Sequence, residues 1–298
     1  ALEYVTLRAS QQRLAIVRAN VASQTETLQI TEWREMAGLT TRLDVEQART
    51  NLEQSRAAIP SMETARAEAE HRLAILTGQA PGSLRTALQE IRPLPSVPDV
   101  IAVGIPADTL RQRPDVRAAE FTLRAELART AEKEADRYPS LALDGSFGWK
   151  GATLSALGGG SNVARSLAVS LVGTLFDGGR IRSHIDLQKA VQEQAFVAWE
   201  KAILTALEDV ENAMTAYANG RDRVDARRNA ATAAAHAAEL ARLQYRAGSA
   251  DFQKVLETER TLLSVQDNLA SAEADVLTAV IQLYKALGGG WTHTKTTE

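Results

Sequence analysis

Two long stretches of the chain carry apolar residues at alternating steps of three and four. The first runs from Val45 to Leu76 and the second from Val255 to Leu283. A period of 3.5 residues predicts a helix that presents one narrow apolar stripe to a neighbouring helix, as in a coiled coil. Small residues such as Ala48 recur in both stripes, which favours helices packed closely side by side over a bulky globular core.

The two stretches belong to an internal repeat with an offset of 210 residues, in which Gly38 corresponds to Gly248. In each copy a second glycine follows 40 residues later. A further helical stretch precedes each copy, at 2–36 and 181–246, although Gly220 could interrupt the second one. Because glycine is preferred just after the end of a helix, we predict two long antiparallel helical hairpins that turn near Gly38 and Gly248.

Between the two hairpins the helical period gives way to strict alternation. Apolar or small residues occupy every second position from Leu141 to Trp149 and from Leu167 to Leu175. This pattern predicts two β-strands of about ten residues, the length and alternation of transmembrane strands. A two-stranded sheet alone is marginal in water, and a barrel needs about eight strands. We therefore expect other chains or further sequence to complete a barrel.

Proline marks the middle of the chain. All eight prolines lie between Pro60 and Pro139, and their absence afterwards permits very long helices. We predict five regions: a first helical hairpin at 1–80, an irregular Pro-rich connector with equatorial helices at 81–138, a β-hairpin at 139–177, a second helical hairpin at 178–290 and a C-terminal tail at 291–298.

The composition excludes several classes of function. The 298 residues contain no cysteine, so a disulfide framework, a thiolate metal site and a cysteine nucleophile are excluded. A net charge of −3 leaves no basic footprint for nucleic acid, and no apolar run is long enough for a transmembrane helix. Since the sequence begins at Ala1 without an initiator methionine, we expect a fragment of a longer chain.

Six further motifs follow one another along the chain. They are GLTTRLDVEQA at 38–48, LRQRPDVRAAE at 110–120, YPSLAL at 138–143, LFDGG at 175–179, YRAG at 245–248 and LYKALGGGW at 283–291. In this order they resemble the outer membrane factor family, the exit ducts of tripartite efflux pumps and type I secretion systems. Within that family they resemble the lipoprotein branch that serves resistance-nodulation-division pumps.

The resemblance implies a mainly α fold with a β-hairpin. Each protomer of the family supplies four strands and two helical hairpins, and three protomers close a β-barrel in the outer membrane and an α-barrel in the periplasm. It implies a passive, non-enzymatic exit duct without a cofactor. The expected partners are two further copies in a homotrimer, a periplasmic adaptor, an inner membrane pump and outer membrane lipid, with no nucleic acid.

The resemblance also assigns candidate site residues at the periplasmic tips. Asp44, Tyr245 and Glu257 match gate positions, whereas Lys254 stands where the family has a second acidic ring residue and Ala250 where it has an arginine. Carboxylates that converge on a symmetry axis repel one another and favour cations, so Glu257 is expected to line the narrowest part of the pore. The turn residues matching the adaptor-docking grooves are Gly38, Leu39, Gly248 and Ser249.

Alternatives stay open from the residues alone. A soluble coiled-coil scaffold would explain the helices but has no use for the strand pair. Glu68 and His71 spell Glu-x-x-His, one element of a carboxylate metal site in a bundle enzyme, but that site needs two copies. Asp44 and Glu257 also fit solvated charges near a helix start, and Tyr245 fits a packing residue of the hairpin.

Overall fold

The computed structural model describes residues 1–95, 112–149 and 163–289. The predicted tail at 291–298 and the middle of the predicted connector lie outside the described residues. The chain divides into two compact units, one made of residues 1–105 and 208–298 and the other of residues 106–207.

The described residues are mostly helical, with one antiparallel strand pair, which confirms the predicted fold class. The boundaries of the five predicted regions stay predictions. The elements are α1 (Leu2–Met36), α2 (Arg42–Leu76), α3 (Arg85–Leu88), α4 (Pro114–Ala135), β1 (Ser140–Trp149), β2 (Val163–Val172), α5 (Arg180–Arg246) and α6 (Phe252–Ala286).

The internal repeat appears in the helix bounds. Helices α2 and α6 both contain 35 residues, and both their ends are related by the same 210-residue offset as the glycines. On α2 the predicted stripe is buried at Val45, Ala48 and Leu52 and becomes exposed where the helix ends at Leu76. On α6 the buried stripe extends to Leu283. The apolar periodicity therefore marks real packing faces.

Helix α5 is continuous through Gly220, so the suggested interruption does not occur. A Cβ at Gly220 would lie 2.9 Å from Val276 Cγ2 of α6. Because valine is stiff about its first side-chain torsion, only a residue without a side chain lets the two backbones approach this closely. Gly220 therefore serves helix packing, and this close packing overrides the weak helix propensity of glycine.

One face of the strand pair is apolar except at Arg165, which pairs with Phe147. Leu141 pairs with Leu171 and Leu143 with Val169 in an antiparallel register, and all four side chains are about two-thirds or more exposed. The second strand runs from Val163 to Val172, whereas the sequence predicted a strand from Leu167 to Leu175. Its partner strand is preceded by a proline, which has no N–H to continue the ladder. Among the described residues no helix is apolar and long enough to cross a membrane.

Candidate functional site

The two hairpin turns share one backbone geometry. After α1, the Gly38 N–H donates to the Glu35 carbonyl at 2.9 Å and the next N–H donates to the Arg34 carbonyl at 2.8 Å. The same two bonds follow α5, where Gly248 occupies the corresponding position. Both glycines have positive φ, at +70° and +77°, a conformation that favours residues without a Cβ. The predicted turns are thus matched Schellman motifs.

Asp44 closes a capping box at the start of α2. Its Oδ2 accepts hydrogen bonds from the hydroxyls of Thr40 and Thr41, both at 2.7 Å, and from the Thr41 N–H at 3.0 Å. Partial burial opposes ionisation of this carboxyl, but the hydrogen bonds from both threonines outweigh it and lower the pKa of Asp44. Asp44 therefore fixes the geometry of the first turn in its ionised form.

Tyr245 is 2% exposed and belongs to the packing between the hairpins. Its hydroxyl donates to Thr31 Oγ1 at 3.2 Å, and its ring meets Phe252 edge-on with centroids 6.0 Å apart. The Arg34 guanidinium stands 4.6 Å from the ring centroid. Among the described residues, no hydrogen bond joins Tyr245 to Asp44. Each of these two predicted gate residues therefore bonds to different partners, Thr31 for Tyr245 and Thr40 and Thr41 for Asp44.

Glu257 and Lys254 lie on the exposed side of α6. Their charged ends form an ion pair at 3.7 Å between Nζ and Oε2, and the side chains are 72% and 59% exposed, respectively. A pair this exposed contributes little to stability. The basic residue instead partly neutralises its acidic neighbour within one subunit.

The predicted docking residues are exposed at the ends of the hairpins. Leu39 is 66% exposed, and Gly38, Gly248 and Ser249 are also exposed. Ser249 additionally donates its hydroxyl to the Gln244 carbonyl at 3.1 Å. The two turns therefore differ in chemistry, since the first presents an apolar side chain and the second a hydroxyl.

Residue-level sequence analysis missed a line of buried polar contacts that joins α1 to the second hairpin. The contacts form what we term the polar seam. It comprises the hydrogen bonds of Asn20 to Gln266 at 3.1 Å, Thr27 to Glu259 at 2.8 Å and Tyr245 to Thr31 at 3.2 Å. The signal was present in α1, where Asn20, Gln24, Thr27 and Thr31 recur at steps of three and four.

Glu259 is the charged member of the polar seam and is 3% exposed. Burial raises the pKa of its carboxyl, although the hydrogen bond from Thr27 and the nearby Arg242 guanidinium act in the opposite direction. Within the described ranges, no group of three or more histidine and acidic side chains is placed to hold a metal ion. The buried carboxyl thus belongs to a hydrogen-bonded interface between helices.

The family model for the outer membrane efflux protein matches residues 1–79 and 105–289. Nodulation protein T of Rhizobium leguminosarum bv. trifolii is 31% identical over 288 residues, which cover 97% of this chain and 62% of that protein. Outer membrane protein OprJ of Pseudomonas aeruginosa is 30% identical over 297 residues, covering 97% of this chain and 60% of that protein.

A solved structure agrees at the level of the fold. That of the outer-membrane channel OprN matches with a TM-score of 0.91 and 34% identity, over 97% of this chain and 65% of that chain. The present chain spans about three-fifths of the length of the two curated relatives.

Proposed function

Because the chain belongs to the outer membrane efflux protein family, we propose that the whole protein is the passive exit duct of a tripartite multidrug efflux pump. Small molecules pass through it from the periplasm to the exterior without any catalytic step or cofactor. The observation that carries the proposal is the union, in one chain, of two matched helical hairpins with a strand pair that has one apolar face.

The apolar face of the strand pair favours a duct over a soluble scaffold. Leu143 and Val169 are cross-strand partners that stay more than two-thirds exposed. Burying such a face in lipid removes apolar area from water, which is favourable by about 25 cal/mol per Å². A rod that works in water gains nothing from this arrangement, whereas a barrel strand pair in the outer membrane requires it.

The proposed assembly has three copies of the protein, a periplasmic adaptor and an inner membrane pump. The adaptor docks at the exposed turns and opens the tips, which otherwise stay closed. The residues proposed to form this docking surface are Gly38, Leu39, Gly248 and Ser249.

The proposed gate is built from residues of both hairpins. Glu257 lines the narrowest part of the pore, and Lys254 moderates its charge, because the two side chains form an ion pair. Tyr245 and Asp44 set the positions of the two turns, the first by its buried ring and the second by its capping box.

The gate proposal predicts that Glu257→Gln in the full-length protein lowers the cation-to-anion permeability ratio severalfold. The reason is that each subunit loses one carboxylate close to the axis. Reversal potentials across a planar bilayer under a salt gradient measure this ratio. Glu53→Gln is the matched control, since Glu53 is an exposed acid on α2 paired with Arg56. An unchanged ratio in Glu257→Gln would count against the gate position.

The proposed role in drug efflux is tested by measuring drug export from cells with and without the protein. Cells lacking the protein should accumulate a fluorescent drug when the pump and adaptor are present, and the full-length protein should restore its export. Restored outer membrane assembly without restored export would contradict a role in drug efflux. Rescue of polypeptide secretion instead would identify the alternative, a type I secretion duct.

A further inference from the structure

Arg34 reaches from the last turn of α1 to the end of α5. Its Nη1 donates to the Tyr245 carbonyl at 2.5 Å, and its guanidinium carbon lies 4.6 Å from the centroid of the Tyr245 ring. A Cβ placed on Gly248 would be 3.9 Å from Nη1. One side chain of the first hairpin therefore covers both the ring and the backbone at the turn of the second.

The chemistry of these contacts suits arginine in particular. The last carbonyls of a helix lack intrahelical donors and lie at the negative end of the helix dipole, so a cation with an N–H is favourable there. A planar guanidinium can donate to a carbonyl while its face lies over an aromatic ring. A lysine ammonium keeps the charge but loses the planar stacking.

Tyr245 is held from α1 at two points. Thr31 accepts a hydrogen bond from its hydroxyl at the far end of the ring, while Arg34 contacts its carbonyl and its ring face. Asp44 takes no part in this contact, since its carboxylate bonds to Thr40 and Thr41 instead. Arg246 and Glu26 add an ion pair between the same helices, but both side chains are substantially exposed and such pairs are weak.

The Arg34 contact also includes an unfavourable feature, the burial of one N–H of the guanidinium. Its Nε is buried and has no hydrogen-bond partner among the described residues. A buried donor without an acceptor is unfavourable, and separation of the two turns would expose this N–H to water. The free energy lost when the Arg34 contact breaks is therefore partly offset by hydration of this N–H.

We propose that Arg34 is a latch residue, a positioning residue that holds the second turn against the first through Tyr245 and keeps the tips closed until an adaptor separates them. This inference rests on the proposed duct function. It assigns the connection between the hairpins to an arginine of α1, a residue that the family resemblance did not single out for the gate.

The test uses the full-length protein in planar bilayers without an adaptor. Arg34→Ala should raise the open fraction by about three- to tenfold, the change expected from losing one partly buried cation–π contact. Arg34→Lys should give an intermediate value, because it restores the charge without the stacking.

Arg42→Ala is the matched control for loss of a positive charge at the same turn. Arg42 is 81% exposed and pairs only loosely with Glu46 at 3.8 Å, so this variant should conduct like the wild type. Heat-stable trimers in detergent confirm assembly of each variant, and if Arg34→Ala does not assemble, Arg34→Lys decides the question.

Two results would overturn the latch alone. In the first, the wild type conducts but the assembled Arg34 variants have the same open fraction as the wild type. In the second, the open fraction rises equally in Arg34→Ala and Arg42→Ala. A wild-type protein that forms trimers but never conducts would overturn the proposed duct, and the latch with it.

Discussion

Glu257 and Glu259 are two positions apart on α6 and have opposite environments. A step of two residues turns an α-helix by about 200°, so one carboxylate faces solvent beside Lys254 while the other is buried against Thr27. The family resemblance assigns a gate position to the exposed acid, Glu257. The buried acid makes the stronger physical demand on the structure, because a charge in a water-poor interface is costly without partners.

Glu259 should make the stability of the helical hairpins depend on pH. Its folded-state pKa lies above the ordinary value of 4.5, so the folded state holds its proton more tightly than the unfolded state. Stability should therefore fall as pH rises from about 4.5 through the raised pKa, and Glu259→Gln should remove this fall. Melting of the helical signal by circular dichroism, from about pH 4 to pH 8, measures the effect.

The matched control for Glu259→Gln is Glu257→Gln, which changes an exposed carboxylate on the same helix. This control should keep the pH dependence of the wild type. A Glu259→Gln protein whose melting still falls with pH as in the wild type would show that Glu259 is not the group responsible.

Single residues were predictable where their role is local. The turns at Gly38 and Gly248 were predicted from the preference for glycine just after a helix end. Asp44 was placed near a helix start, where the structure shows it bonded to Thr40 and Thr41. Arg34 and Thr31 were not found from the sequence, because their partner Tyr245 is more than 200 residues distant. Neither periodicity nor composition specifies which polar side chains of distant helices meet.

At the scale of elements, the apolar face of the strand pair is predicted to contact the lipid of the outer membrane. Val169→Arg should impair assembly into the outer membrane, because arginine on the lipid face costs about 2–4 kcal/mol near the middle of the bilayer. The amount of heat-stable trimer in outer membrane fractions measures this loss.

The neighbouring residue provides the control for the strand prediction. Ser170 pairs with Ala142 on the opposite face of the strands, so Ser170→Arg should assemble nearly as well as the wild type. Equal assembly of Val169→Arg and Ser170→Arg would mean that the apolar face does not meet lipid.

The helices and strands were largely predictable because apolar residues recur with different periods in the two kinds of element. Steps of three and four located α2 and α6, and alternation located β1 and β2. The errors arose where tertiary contacts decide. Gly220 is accommodated in α5 by close packing against Val276, and the second strand stops short of Leu175 because the ladder has no partner beyond Pro139.

At the scale of the whole molecule, the helical hairpins and the strand pair explain each other. In the proposed duct, hairpins with small residues in their stripes would form the wall of the periplasmic part, and the strands would form the part in the membrane. The contacts between α1 and the second hairpin combine the polar seam with an apolar cluster, in which Leu28 and Ile30 of α1 pack against residues that include Tyr245 and Val255.

The most direct test of the duct is single-channel conductance of the full-length protein in a planar lipid bilayer. The account predicts discrete conductance steps from purified trimers, with a small resting value that increases when the adaptor is added. Trimers that insert into the bilayer and show no conductance, with or without the adaptor, would contradict it.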